Sequence, residues 1–150
     1  MSWPPHITVA AVAEQDGKFL FVEEEINGAL VLNQPAGHLD PGETLLEAVE
    51  REVLEETGWR VTPKSLVGIY HYHSTTTAIT YHRLTFAVRP LELTDGPLDP
   101  VIRQVHWLAP DALDRFRLRS PVVRQCLEDF RRRGGMPLDY LSHLGVIPSE

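Results

Sequence analysis

The 150-residue chain is 43% hydrophobic and 23% charged, with a formal net charge of -7, which excludes disordered and fibrous classes and suits a single domain over residues 1–150. An acidic chain lacks the clustered Lys and Arg that bind phosphate backbones, so no nucleic-acid partner is expected. No apolar run approaches the roughly 20 residues of a bilayer span. The start Met1-Ser2-Trp3-Pro4-Pro5 has no basic leader and the single Cys126 cannot form an internal disulfide, so the chain reads as cytoplasmic, without a membrane partner, and as a monomer or homodimer.

Ile7 to Val12 and Phe19 to Val22 are apolar and partly β-branched, with Gln15-Asp16-Gly17 as turn chemistry between them, so the chain opens with a hairpin. Ala29 to Leu32 adds a short strand, after which Pro35, Gly37, Pro41 and Gly42 break regular structure into a shaped loop. Thr44-Leu45-Leu46-Glu47 has the form of a capping box that starts a helix reaching about Thr57, with Gly58 suited to its left-handed end. Leu66 to Tyr72 and Ile79 to Val88 read as strands joined by Ser74-Thr75-Thr76-Thr77. Leu91 to Pro100 reads as irregular, Val105 to Leu108 as a strand, and Asp111 to Phe116 and Val122 to Arg132 as helices. Cys126 lies among apolar residues of the last helix and reads as core packing. The tail after Gly134-Gly135 is weakly specified. This order predicts an α/β fold, an α/β/α sandwich around a central mixed sheet.

On a helical wheel Leu45, Leu46, Ala48, Val49 and Val53 share one apolar arc. Glu52 and Glu56 fall inside that arc and Glu55 at its edge, whereas Glu47, Glu50 and Arg51 point away. Glu52, Glu55 and Glu56 are helix neighbours, so like charges crowd a partly buried patch with no Lys or Arg inside the arc to neutralise them. An all-oxygen donor set suits Mg²⁺ or Mn²⁺ better than a softer ion, so a hard divalent cofactor is expected there.

Gly37, Glu43, Arg51, Glu52, Val53, Glu55, Glu56, Gly58 and Trp59 fill the pattern Gx5Ex7REUxEExGU without a gap, U being a bulky apolar residue. In this the chain resembles the Nudix hydrolase family. The resemblance implies the Nudix-type α/β/α sandwich and metal-dependent hydrolysis of a phosphoanhydride in a small phosphorylated compound. It also implies that Glu52, Glu55 and Glu56 hold the metal, that the Gly37 carbonyl adds a ligand, and that Glu43 pairs with Arg51 as support within the catalytic set. Water attacking a diphosphate builds negative charge that a divalent ion neutralises, and Glu52 or Glu55 is the candidate acceptor of the water's proton. The later acids Glu92, Asp95 and Asp99 lie in the irregular segment and offer no clear further ligand.

Pro5 to Ala10, Phe21 to Glu24, Asn33 to Leu39 and Leu118-Arg119-Ser120-Pro121 resemble the NudJ-type branch of that family. That resemblance implies action on the pyrimidine diphosphate of thiamine synthesis, on thiamine diphosphate and on nucleoside di- and triphosphates. A flat heterocycle wants an aromatic face, for which Tyr70 and Tyr72 are the candidates, while Tyr81 and Trp59 read as packing. Arg83 could hold a phosphate oxygen or form a surface salt bridge, and Gln34 could read a ring edge. His38 reads as a bystander, Arg119 and Ser120 as the cap of the final helix, and Arg131-Arg132-Arg133 as its dipole complement. Two other readings compete: a dinucleotide or ADP-sugar pyrophosphatase of the same fold, and a binding module that does not cleave.

Overall fold

The structure, a computed structural model, describes residues 3–149; Met1 and Ser2, where a leader would begin, lie outside the described residues. Eight longer elements carry the fold: β1 (His6–Gln15), β2 (Lys18–Ile26), β3 (Ala29–Asn33), α1 (Leu45–Thr57), β5 (Trp59–Ser74), β6 (Ile79–Leu93), β7 (Ile102–Leu108) and α2 (Pro121–Arg133), with β4 (Ala36–His38) between β3 and α1. Asp16-Gly17 and Asn27-Gly28 both take positive φ, the backbone of a two-residue hairpin turn matched to strand twist. They join β1 to β2 and β2 to β3.

The strands form one mixed sheet in the order β3-β2-β1-β6-β5, with β4 on β1 and β7 on β2. β1 and β6 run parallel from His6↔Tyr81 to Ala13↔Val88, while the other pairs are antiparallel. β1 and β2 meet only at Glu14↔Phe19 and Gln15↔Lys18. Past that point they diverge, β2 to β3 and β7 and β1 to β4, and the divergence positions the site.

Both faces of the sheet are buried, as an α/β/α sandwich requires. Val9, Ala11, Leu84, Phe86 and Val88 pack with Val49 and Val53 of α1 on one face. Val12, Phe21 and Leu32 pack with Val123, Cys126 and Leu127 of α2 on the other. Cys126 is a core residue, with Sγ 3.2 Å from Thr85 Oγ1. Trp59 packs edge-on against Trp107 at 5.7 Å between ring centroids.

Four elements depart from the expectations. The shaped loop contains β4, because Gly37 and its neighbours pair with Thr8, Val9 and Ala10 of β1. β5 begins directly after α1 rather than at Leu66, because Gly58 at φ 80° turns the chain straight into a strand that pairs with β6 out to Leu93. The 94–99 segment is tied down, its Thr94 and Asp99 amides donating to the Gly58 and Glu55 carbonyls and so satisfying the end of α1. Pro110–Arg115 is a 3-10 turn, not an α-helix; Pro110 starts it, and its six residues offer too few regular bonds to sustain a longer helix.

Candidate active site

α1 starts where its capping box places it. The Thr44 hydroxyl accepts from the Glu47 amide at 3.0 Å and the Glu47 carboxylate accepts from the Thr44 amide at 2.8 Å, while Gly58 closes the far end with a bond to the Leu54 carbonyl. A rigid helix therefore carries Arg51, Glu52, Glu55 and Glu56 past the Gly37 strand.

Glu56 is 4% exposed, and its Oε1 accepts from the Ala36 amide at 2.9 Å. Burial pushes its carboxyl up to about 9, and Glu24, Glu52 and Asp99 act in the same direction against that one amide bond. Glu52 is pushed up to about 7, again chiefly by burial, although Arg51 opposes the shift. Two carboxyls this costly to ionise on one helix face are not fully neutralised by the chain, since no Lys or Arg bonds Glu56 and Arg51 only partly offsets the burial of Glu52.

Arg51 differs from its sequence reading. Its backbone lies outside the apolar arc, but the flexible side chain curls back: Nη1 donates to Glu52 at 2.8 Å and to Glu55 at 3.2 Å. Nε and Nη2 form a fork on Glu43 at 2.9 and 2.8 Å, and Nη2 also reaches the His38 carbonyl at 3.0 Å. The Glu43 carboxyl is accordingly lowered by the Arg51 bonds and the Arg51 guanidinium raised by Glu43. The chain thus has a cation beside the acidic patch, locked by Glu43 to one side of it.

Glu52 and Glu55 turn to Arg51 and Glu56 to a backbone amide, so among the described residues no three His, Cys, Asp or Glu side chains converge tightly enough to grip an ion as placed. The donor chemistry nevertheless fits a hard divalent ion, being carboxylate throughout. Gly37 adds to the fit. A Cβ there would stand 2.2 Å from the Glu52 carboxyl carbon, so a larger residue would push that carboxylate from its place against β4.

Beside this patch, where β1 and β2 diverge, opens a cleft of about 490 Å³ whose lining includes Gly37, His38, Tyr72, Tyr81, Arg83 and Arg119, a volume suited to a small ligand. Arg83 is 3% exposed and bonded only to neutral oxygens: Thr85 Oγ1 at 3.4 Å, Asn33 Oδ1 at 3.3 Å and Gln34 Oε1 at 2.6 Å. It is no surface salt bridge; it is a buried cation in the cleft lining that acts across space on Glu24. Tyr72 stacks on Tyr81 at 5.3 Å and 26°.

Two substrate candidates lie elsewhere. Gln34 is 1% exposed, its amide donating to the Val123 carbonyl at 2.7 Å and its oxygen spent on Arg83, so it holds Arg83 rather than a ring edge. Tyr70 points to α2, its hydroxyl donating to Asp129 at 2.8 Å, because strand alternation sets it one pair further into the core than Tyr72. Ser120 caps α2, and Arg132 and Arg133 pair with Asp129. His38 lines the cleft and meets His6 at 3.1 Å.

The sequence reading missed Thr8, Asn33 and Glu24, all in the cleft lining. Glu24 carried little signal, because Phe19 to Val22 is buried on both faces and Glu23-Glu24-Glu25 follows as an unbroken acidic run; only the fold shows that the middle acid is the buried one.

A NUDIX domain model matches residues 4–130. The chain belongs to the Nudix hydrolase family. It is accordingly a hydrolase acting on phosphoanhydride bonds, in a family that generally uses divalent metal ions. Over 139 residues, 91% of this chain and 90% of the relative, it is 37% identical to the phosphatase NudJ of Escherichia coli K12. A NUDIX hydrolase from Nitrosomonas europaea superposes with a TM-score of 0.91 at 44% identity, over 93% of this chain and 97% of that one. The NUDIX domain of Shewanella oneidensis NrtR, solved with ADP ribose, shares the fold with a TM-score of 0.73 at 18% identity, over 88% and 90% of the two chains. No helix among the described residues is long and apolar enough to cross a membrane.

Proposed function

We propose that this Nudix hydrolase is a cytoplasmic, single-domain phosphatase of NudJ type, using Mg²⁺ or Mn²⁺ to cleave the pyrimidine diphosphate of thiamine synthesis, thiamine diphosphate and nucleoside di- and triphosphates. The observation that carries this reading is the pair of carboxyls, buried Glu56 and half-buried Glu52, against Gly37 at one end of a cleft that holds a buried Arg83 and an aromatic wall. The 37% identity to NudJ supports the same substrate class.

In this reading Glu52, Glu55, Glu56 and the Gly37 carbonyl hold the ion. When bound, it neutralises charge on the diphosphate oxygens and acidifies water. Glu52 or Glu55 accepts the proton of the attacking water. Glu43 draws Arg51 aside, keeping the guanidinium near the carboxylates without filling the patch. Arg83 offers its remaining N–H donors to a phosphate oxygen, a charge-assisted bond that Gln34 and Asn33 aim. Tyr72 and Tyr81 offer a face to the organic ring.

Hydrolysis of the thiamine-pathway pyrimidine diphosphate, thiamine diphosphate, GDP, GTP, ADP-ribose and NADH, with and without Mg²⁺ or Mn²⁺ and followed by chromatography of the organic products, tests the proposal. Metal-dependent turnover of the first four is expected. Inactivity on every compound rejects it, and turnover of ADP-ribose or NADH alone reassigns the chain to the dinucleotide or ADP-sugar pyrophosphatases.

A further inference from the structure

Two polar side chains in the cleft make no hydrogen bond within the chain. Thr8 on β1 is 8% exposed, and its Oγ1 is the single fully buried side-chain N or O atom among the described residues without a hydrogen bond. Glu24 on β2 is also 8% exposed; Arg119 and Arg83 act on its carboxylate across space, and no hydrogen bond reaches it. Buried polar groups left unpaired cost free energy. A chain that otherwise pairs its buried polar atoms keeps such groups where a ligand completes them.

Both residues line the cleft with Asn33, Tyr72, Tyr81 and Arg83, whereas Glu52, Glu55 and Glu56 are absent from that lining. Glu24 lines the cleft and also acts across space on Glu56, so it stands where the cleft meets the metal-holding patch, within reach of the organic half of a bound diphosphate. The two groups want different things from a ligand. A carboxylate accepts and never donates; a threonine hydroxyl does either. The edge of an aminated ring supplies both, an exocyclic N–H donor next to a ring-nitrogen acceptor. A keto ring also supplies both but in the reverse order, with an exocyclic oxygen whose lone pair Glu24 repels and the N–H on the ring nitrogen.

We propose that Thr8 and Glu24 form a subsite that reads the amino group and adjacent ring nitrogen of an aminated heterocycle, the ring lying along Tyr72 and Tyr81. This rests on the phosphoanhydride reading above and names the half of the substrate that the catalytic helix does not touch.

Equilibrium binding of the amino and keto pairs CMP/UMP and AMP/IMP, beside hydrolysis of CDP and UDP with Mg²⁺, tests it. The native chain binds the amino member of at least one pair about tenfold tighter or more, the size expected when a buried polar group is left unmatched. Glu24→Gln collapses or inverts that ratio, since its amide can donate to a keto oxygen. Thr8→Val lowers the ratio while the melting temperature holds or rises, because the orphan hydroxyl is gone. A native ratio near one in both pairs overturns the subsite. So does a Glu24→Gln variant that weakens both members equally, or that lowers Mn²⁺ affinity at an unchanged ratio, which assigns Glu24 to the cation. Selective binding without hydrolysis upholds the subsite and rejects the proposed activity; hydrolysis without selectivity does the reverse.

Discussion

Replacing Glu56 by Gln removes one charge and almost no volume, so it tests whether that carboxyl is kept for a cation. Without metal its pKa is raised by burial to about 9 from the ordinary 4.5. The sign follows from proton binding. Between those values the folded state holds a proton that the unfolded state has lost, so stability falls as pH rises, by about 1.4 kcal/mol per unit. From pH 6 to pH 8 that is about 3 kcal/mol, with Glu52 adding to the fall up to its own value of about 7. For a domain of this size the loss lowers the melting temperature by about 6 to 12 °C.

Thermal unfolding in EDTA at pH 6 and pH 8 measures this, and the difference between native chain and Glu56→Gln isolates residue 56 from the histidines. The variant keeps its neutral amide at both pH values, so its fall is smaller by about 3 kcal/mol. Adding Mn²⁺ at pH 8 reverses the ranking: the native chain gains stability by mass action and the variant gains little. Turnover of the variant drops by two orders of magnitude or more. Equal pH dependence of the two proteins in EDTA refutes the burial argument, and equal stabilisation by Mn²⁺ refutes the assignment of Glu56 to the metal.

Gly37→Ala puts a methyl group 2.2 Å from the Glu52 carboxyl carbon; turnover falls at least tenfold and the Mn²⁺ titration shifts to higher concentration, measured by activity against added metal. Arg83→Lys loses the planar fork that Asn33, Gln34 and Thr85 hold, so KM for the diphosphate rises about tenfold while kcat changes less in steady-state assays. Tyr70→Phe removes the bond to Asp129 and costs about 1 kcal/mol of stability in a urea titration without changing KM, whereas Tyr72→Leu raises KM with little change in stability. Thr44→Ala removes the α1 cap and costs about 1 kcal/mol by the same titration.

The catalytic helix was legible because a helix is a local structure: the capping box, the wheel and the spacing of Glu52 and Glu56 all lie within 14 consecutive residues, and Thr44 to Gly58 folds as they dictate. The sandwich was legible in outline for the same reason, since apolar, β-branched runs and the turn residues between them mark most strands locally. What failed to show was what depends on pairing between distant segments. β4 exists because β1 offers an edge to Gly37, and the first half of β5 exists because β6 runs on to Leu93. Arg51 misled the wheel because a wheel places Cβ atoms, and a guanidinium on a long flexible stem can return to the arc its backbone left.

The substrate residues divide along the same line. Tyr70 and Tyr72 were chosen as aromatic faces and Arg83 as a phosphate holder, by residue type within strands, which names no depth along the strand, and one pair of residues separates Tyr72 in the cleft from Tyr70 in the α2 core. Gln34 was assigned a ligand because its amide is versatile, yet the fold spends both ends of it on Val123 and Arg83. Glu24 inverts that case. It stands in the middle of the acidic run Glu23-Glu24-Glu25, and only the fold buries it where its two neighbours stay more exposed. What the strand pattern could not supply was the absence of a partner, and that absence is what turns a misplaced charge into a reader of substrate.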